Sequence, residues 1–331
     1  MPTPDPFQIG KDVVRTRMPP ALGRIRLERN IVTLDTPRRI LVSGGSGKLG
    51  QAVIAELLAH GHSVCNLDLV PPRTPGGRFM RTDFRDYGQC VDALSFRDIG
   101  WDAADALVHL AAIPGPYHAP DAHLFVNNLQ STFNLWRAAQ VAGIRNVVWA
   151  SSETLLGVPF EHPPQRLPLD ESVSRPESSY ALAKHLEEEM ARQLCRQDPQ
   201  RKLLGLRLSY VHDDTELQHL RDRVAERAAN PRHQAWNLWS YISARDAARA
   251  VSLAIGFEMT GTDQILIANA DTVMPQTTRE LMAAVFPGVP LPQPLGDHQS
   301  LIDCSKARRL LGWEPGAGWR TSVDAGKAHH S

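Results

Sequence analysis

The sequence predicts an α/β protein, a doubly wound parallel sheet covered by helices, with a smaller C-terminal portion that binds substrate. Three observations predict it. Short apolar runs alternate with stretches of helical periodicity from Arg38 to Leu208, as strands and crossover helices of a parallel sheet do. A glycine-rich turn joins the first run to the first helix. The 331 residues are 42% hydrophobic, which suffices for a large core and argues against disorder.

The elements follow in order. Arg39–Ser43 is apolar and bounded by glycines, a buried strand. From Lys48 to His60 the apolar residues Leu49, Val53, Leu57 and Leu58 mark one helical face, and Gly61 closes it. Strands are expected at Ser63–Leu67, Arg78–Arg81, Ala106–Leu110, Asn146–Ala150, Lys202–Leu208 and Gln264–Ile267, with helices over Asp121–Ala142 and Glu177–Arg196. This places one doubly wound domain at residues 38–212, with segments near 236–270 returning to it. A substrate-binding portion takes 213–235 and 271–320, and a tail takes 321–331.

Composition excludes several classes. Lys plus Arg and Asp plus Glu are both 36, so the basic excess that nucleic-acid binding needs is missing. Cys65, Cys90, Cys195 and Cys304 form no C-x-x-C pair, which excludes a thiolate zinc site and a disulfide scaffold and suits a reducing cytoplasm. No apolar run reaches the ~20 residues of a membrane span. Residues 1–37 carry six prolines and no apolar signal core, and read as a surface extension, partly disordered.

Gly44, Gly47 and Gly50 give the spacing G-x-x-G-x-x-G between strand and helix. The first permits a tight turn, the second lets backbone approach a pyrophosphate, and the third lets helix and strand pack closely. The helix N-terminus, entered through Lys48 and Leu49, offers free N–H groups to the anion. Asp68 ends the next strand, 18 residues after Gly50, where a carboxylate binds the adenosine ribose hydroxyls. A carboxylate there repels a 2′-phosphate and favours NAD over NADP, although Lys48 and Arg73 lie nearby in sequence. The domain is therefore expected to be of the Rossmann type.

Tyr180 and Lys184 stand four residues apart on one face of a predicted helix. A phenol is a poor base at neutral pH, and an adjacent ammonium stabilises its phenolate. Ser151 and Ser152 lie just past a parallel strand, where ligands of such sheets sit. A hydroxyl there can orient a reacting alcohol or carbonyl oxygen.

These residues together resemble the NAD-dependent epimerase/dehydratase family of the extended short-chain dehydrogenase/reductase superfamily, across roughly residues 38–320. The glycine loop, Asp68, Asp83, His109-Leu-Ala-Ala112, Asn128, Ser151-Ser152, Tyr180-x-x-x-Lys184, Leu206-Arg-Leu208 and the closing Leu301–Pro315 stretch carry the resemblance. It implies that Ser152 is the catalytic serine, Tyr180 the general acid/base, and Lys184 its helper and an anchor for the nicotinamide ribose. It further implies that Asp83 and neighbouring Phe84 contact the adenine end, and that Leu110, Ala111 and Ala112 line the cofactor. Asn128 would support the site from the long helix, and homologues pair that helix with the tyrosine-bearing one in a homodimer.

Departures narrow the substrate. Dehydratases of the family follow the catalytic residue with Asp-Glu; here Glu153 and Thr154 stand there, which argues against a 4,6-dehydratase. Nucleotide-sugar epimerases commonly carry an asparagine three residues beyond the arginine of the Leu-Arg strand, where Tyr210 stands. They also carry a diphosphate-binding arginine shortly before the next strand's aspartate, where Trp239–Asp246 offers none at the earlier position; Arg232 and Arg221 are the candidates to substitute. The serine segment is similar to that of uronate dehydrogenases. The expected function is hydride transfer at a carbinol carbon of a sugar or sugar acid, with Ser151, Glu153, His118 and Tyr210 as candidate substrate contacts and no metal. A UDP-hexose 4-epimerase and a non-catalytic NAD-binding regulator are the alternatives.

Overall fold

The order of strands across the sheet decides where a ligand can bind, and here the order reverses once. The computed structural model describes residues 36–320 apart from 75, 97, 98, 161, 162 and 317, so the expectations for residues 1–35 and the 321–331 tail lie outside the described residues. Seven strands, β1 (Arg39–Ser43), β2 (Ser63–Asp68), β3 (Arg78–Arg81), β4 (Ala106–His109), β5 (Asn146–Ser152), β6 (Lys202–Leu208) and β9 (Gly261–Ile267), pair in the order β3-β2-β1-β4-β5-β6-β9. Every pair is parallel. The reversal falls between β1 and β4, where the register sets Ser43 opposite His109. The crevice beyond the carboxyl ends of these two strands is the ligand position of a doubly wound sheet.

Apolar strand residues alternate between two covering layers. Ile40, Val42, Val64, Val148, Leu204 and Ile265 face helices α1 (Lys48–Ala59), α7 (Ala244–Gly256) and α9 (Ser305–Leu311). Leu41, Leu67, Leu107, Val147 and Leu203 face α2 (Tyr87–Ala93), α3 (Asp121–Val141) and α4 (Ser179–Gln197). A third cluster is centred on Leu238, Trp239, Tyr241, Met274 and Leu301, so that residues near 238–241, expected to return to the sheet, pack in this cluster instead. Further elements are α5 (Asp214–Asp222), α6 (Val224–Ala228), α8 (Thr278–Val285) and the short parallel pair β7 (Val211–His212) and β8 (Ile242–Ser243), which stands apart from the seven-stranded sheet.

Two differences from the sequence reading have physical causes. β5 runs on through both serines because it pairs residue for residue with β6, up to Ser152 opposite Leu208. β9 begins at Gly261, three residues before the apolar run, since its polar half still pairs with β6. Helix α7 is missing from the sequence reading although Ala247, Val251, Ala254 and Ile255 give it a clear buried face, and its start is marked: Ser243 caps it by accepting a hydrogen bond from the Asp246 N–H.

Candidate active site

The glycine loop has the geometry that its spacing requires. Gly44 takes φ +71°, and a Cβ there would lie 2.6 Å from the Ala111 backbone nitrogen across the crevice. A Cβ on Gly50 would lie 2.1 Å from the Gly44 carbonyl oxygen. Gly47 caps α1 without any side-chain hydrogen bond, so the first N–H groups of the helix are left to a ligand. Asp68, half-buried at the end of β2, accepts the Ser46 N–H at 3.0 Å and the Val70 N–H at 3.3 Å. A close-approach turn, an uncapped helix and a carboxylate at the second strand fit NAD. Gly44, Gly47, Leu49 and Gly50 would hold its pyrophosphate and Asp68 its adenosine ribose.

Lys48 turns elsewhere. Its ammonium lies 2.6–2.7 Å from both Glu216 carboxylate oxygens and donates to the Val211 carbonyl, tying the loop to α5. With its charge answered by Glu216, it does little to offset the repulsion of a 2′-phosphate by Asp68. At the adenine end, Phe84 is buried, and Asp83 is gripped by Arg85, whose hydrogen bonds hold the carboxyl below its ordinary range. Leu110, Ala111 and Ala112 line the opposite wall, half-buried; Leu110 N–H donates to the Ser43 carbonyl and Ala111 N–H to its hydroxyl. Asn128 is buried and acts on this wall, its amide accepting the Ile113 N–H at 2.9 Å and donating to the Ile113 carbonyl.

Ser152, Tyr180 and Lys184 come together as expected. Ser152 closes β5, and its hydroxyl oxygen accepts from the Thr154 N–H and hydroxyl. Ser178 caps α4 two residues before Tyr180, fixing where the first turn presents its phenol. Tyr180 and Lys184 are 7% and 3% exposed, with the ammonium 5.9 Å from the phenol ring centroid. Burial pushes the Tyr180 phenol up; Lys184 draws it down, Glu187 pushes it up again, and a hydrogen bond with Ser152 lowers it.

Ser151 is a correction. Adjacent residues of a strand face opposite sides, and its hydroxyl donates to Glu188 at 2.8 Å, away from Ser152. Glu188 also accepts from Nε and Nη2 of Arg207, each at 2.8 Å, so Ser151 belongs to a buried link between β5, β6 and α4. Glu153 is buried beside Ser152 and accepts from Ser209 Oγ (2.5 Å), Asn237 Nδ2 (2.9 Å) and the Tyr210 N–H (3.2 Å). Burial raises its pKa to about 7, against the lowering effect of those donors. Tyr210 is 45% exposed, its ring against His212 and Trp236, which fits a pocket wall. His118 stays on an exposed loop, its ring bonded to the Pro116 carbonyl of the same loop. Beyond Gly157 a cavity of about 480 Å³ opens between Leu156, Phe160, Leu169, Arg166 and Arg175.

Sequence reading assigned no role to Glu187, Thr132, Ser209 or Asn237. Glu187 stands three residues after Lys184, a spacing that puts the two on one helix face; the rest converge only through the fold. Among the described residues no group of histidines, cysteines and carboxylates could hold a metal ion, and no helix is long and apolar enough to cross a membrane.

Comparisons with known proteins bear on the same residues. The chain is 25% identical over 316 residues to a UDP-glucose 4-epimerase of Lactobacillus helveticus, covering 84% of this chain and 92% of that protein. It is 28% identical over 181 residues to the UDP-glucose 4-epimerase of Bos taurus, a match to 48% of this chain that spans about half the length of that relative (49%). Among solved structures it is similar, at a TM-score of 0.63 and 26% identity, to a short-chain dehydrogenase/reductase superfamily protein from Agrobacterium tumefaciens with bound NAD, covering 85% of this chain and 94% of that one. Residues 40–268, which hold the glycine loop, Ser152, Tyr180 and Lys184, match the family model, and the chain belongs to the NAD dependent epimerase/dehydratase family.

Proposed function

We propose that the protein is an NAD-dependent oxidoreductase that acts on a carbinol carbon of a sugar or sugar acid. The observation that carries this reading is the buried Ser152–Tyr180–Lys184 group at the carboxyl edge of the sheet, beside a loop that fits a dinucleotide. NAD, when bound, supplies the hydride acceptor. Ser152 orients the substrate oxygen, and Tyr180 takes the hydroxyl proton in oxidation or returns it in reduction. Lys184 holds the nicotinamide ribose and favours the phenolate by its charge. Tyr210 and the chain near Asn237, both fastened to Glu153, form the substrate side.

Loss of a diphosphate site favours a free sugar over a nucleotide sugar. In the Trp239–Asp246 stretch, which offers no arginine at the earlier position, Trp239 is fully buried, its indole N–H donating to the Pro231 carbonyl. Of the guanidinium groups in this region, Arg227 stacks on Trp319, Arg320 pairs with Asp271 and Arg221 donates to the Trp319 carbonyl, which leaves Arg232 as the remaining candidate for an anion. The second reading, a UDP-hexose 4-epimerase using the same proton chemistry, draws on the 84% coverage by the Lactobacillus helveticus relative. One experiment separates them: incubation with NAD and a panel of sugar acids, free sugars and UDP-hexoses. Accumulating reduced coenzyme supports the oxidoreductase; interconversion of a UDP-hexose without it supports the epimerase.

The apolar residues Val126 and Phe133 of α3, with Leu182 and Leu186 of α4, are exposed on two neighbouring helices. We place a homodimer contact there, which sedimentation of the native chain against Phe133→Glu tests. We place the protein in the cytoplasm, a reading that rests on four widely spaced cysteines without a disulfide pattern.

A further inference from the structure

Lys184 does not stand alone. Its ammonium donates to Glu187 at 2.8 Å, and both side chains are almost wholly enclosed, at 4% and 0% exposure. The second oxygen of Glu187 accepts the Thr132 hydroxyl at 3.2 Å. Thr132 in turn meets His109 Nε2 at 3.0 Å, and His109 Nδ1 meets the Ser43 hydroxyl at 2.7 Å. A continuous hydrogen-bonded row thus crosses α4, α3, β4 and β1, from the lysine of the reacting group to the residue before the glycine loop.

We infer that Glu187 is a positioning residue that acts through Lys184, holding its ammonium and opposing its effect on Tyr180. This deepens the hydride-transfer reading and rests on it for its consequence in catalysis. The charges facing the phenol are few. From α4 come Lys184 and Glu187; Glu188 is also there, neutralised by Arg207 of β6. From the β5 end come Ser152 and Glu153. From β4 comes His109, which burial keeps neutral, its pKa driven down to about 3. Trp149 adds only a ring face, 5.8 Å from the Lys184 ammonium.

With Glu187 ionised the Lys184–Glu187–Tyr180 group is neutral, and losing a phenol proton leaves a buried net negative charge. With glutamine at 187 the group starts at one positive charge, and the same loss leaves it neutral. The first deprotonation of the coupled pair then becomes easier, whether the proton leaves tyrosine or lysine. A role in packing alone would move stability without moving that titration.

The test is a magnetic-resonance titration of the full chain labelled at the phenolic carbon of its five tyrosines. The signal missing in Tyr180→Phe identifies Tyr180, and spectra are recorded with and without saturating NAD. The inference predicts that Glu187→Gln lowers the midpoint of Tyr180, or of its loss of proton shared with Lys184, by about one pH unit or more. Glu187→Asp, which keeps the charge but draws it back, moves it the same way by less, and serves alone if the glutamine variant does not fold. An unchanged or raised midpoint overturns the inference. If the coenzyme fails to bind, the hydride-transfer reading falls, while the titration without NAD still decides the role of Glu187.

Discussion

Replacing Gly50 by alanine tests the cofactor loop where its geometry is least forgiving. The added Cβ would sit 2.1 Å from the Gly44 carbonyl oxygen, 2.6 Å from the Gly45 Cα and 2.8 Å from the Gly45 carbonyl carbon. All three are backbone atoms, so no side-chain rotation relieves the clash, and the loop and α1 must move apart. Overpacking of this kind costs roughly 1–3 kcal/mol. If the displacement falls on the loop, which the bound coenzyme must find in place, NAD affinity falls by about ten- to a hundredfold at 1.4 kcal/mol per factor of ten. Calorimetric titration with NAD measures this, with thermal unfolding to apportion loss between loop and fold. Gly296→Ala is the control, since a Cβ there meets only Gln299 side-chain atoms at 3.6 Å. Native NAD affinity and native stability in Gly50→Ala together would refute the reasoning.

Three further outcomes follow from single carboxylates. Glu153 titrates near pH 7 in the folded protein, above its ordinary 4.5, so the stability it contributes is full below pH 4.5 and is lost as pH rises through about 7. Unfolding of Glu153→Gln compared with native at pH 5 and pH 8 should differ in pH dependence by on the order of 3 kcal/mol, and parallel curves would contradict this. Glu188→Gln leaves Arg207 buried with its carboxylate partner gone and should destabilise by about 3–5 kcal/mol in urea. Asp68→Asn removes the carboxylate that repels a 2′-phosphate while sparing one acceptor for the Ser46 N–H. The ratio of NADP to NAD affinity, measured by calorimetry, should rise about tenfold or more; an unchanged ratio would move cofactor choice to another residue.

The legible parts of this protein were those fixed by local geometry. The glycine spacing, Asp68 at the end of β2 and the four-residue step from Tyr180 to Lys184 each express a constraint within one turn or one strand end, and each took its expected place. Ser151 could have been separated from Ser152 by the period of two along a strand, had β5 been carried to its true end. The row from Lys184 through Glu187, Thr132 and His109 to Ser43 was not legible, because its members belong to four elements and meet only after α3 and α4 pack on the sheet. Asn237 and Ser209 are of the same kind: each is an ordinary polar residue until Glu153 is buried between them. Even Lys48, read as part of the loop, is claimed by Glu216 from 168 positions away.

The most direct test of the account is hydride transfer from an alcohol substrate to NAD by the native chain and by Tyr180→Phe, with coenzyme affinity measured on both. The phenylalanine variant should bind NAD as tightly as the native chain and turn over at least about a hundredfold more slowly, as loss of a general acid/base requires. Native turnover in Tyr180→Phe would contradict the account.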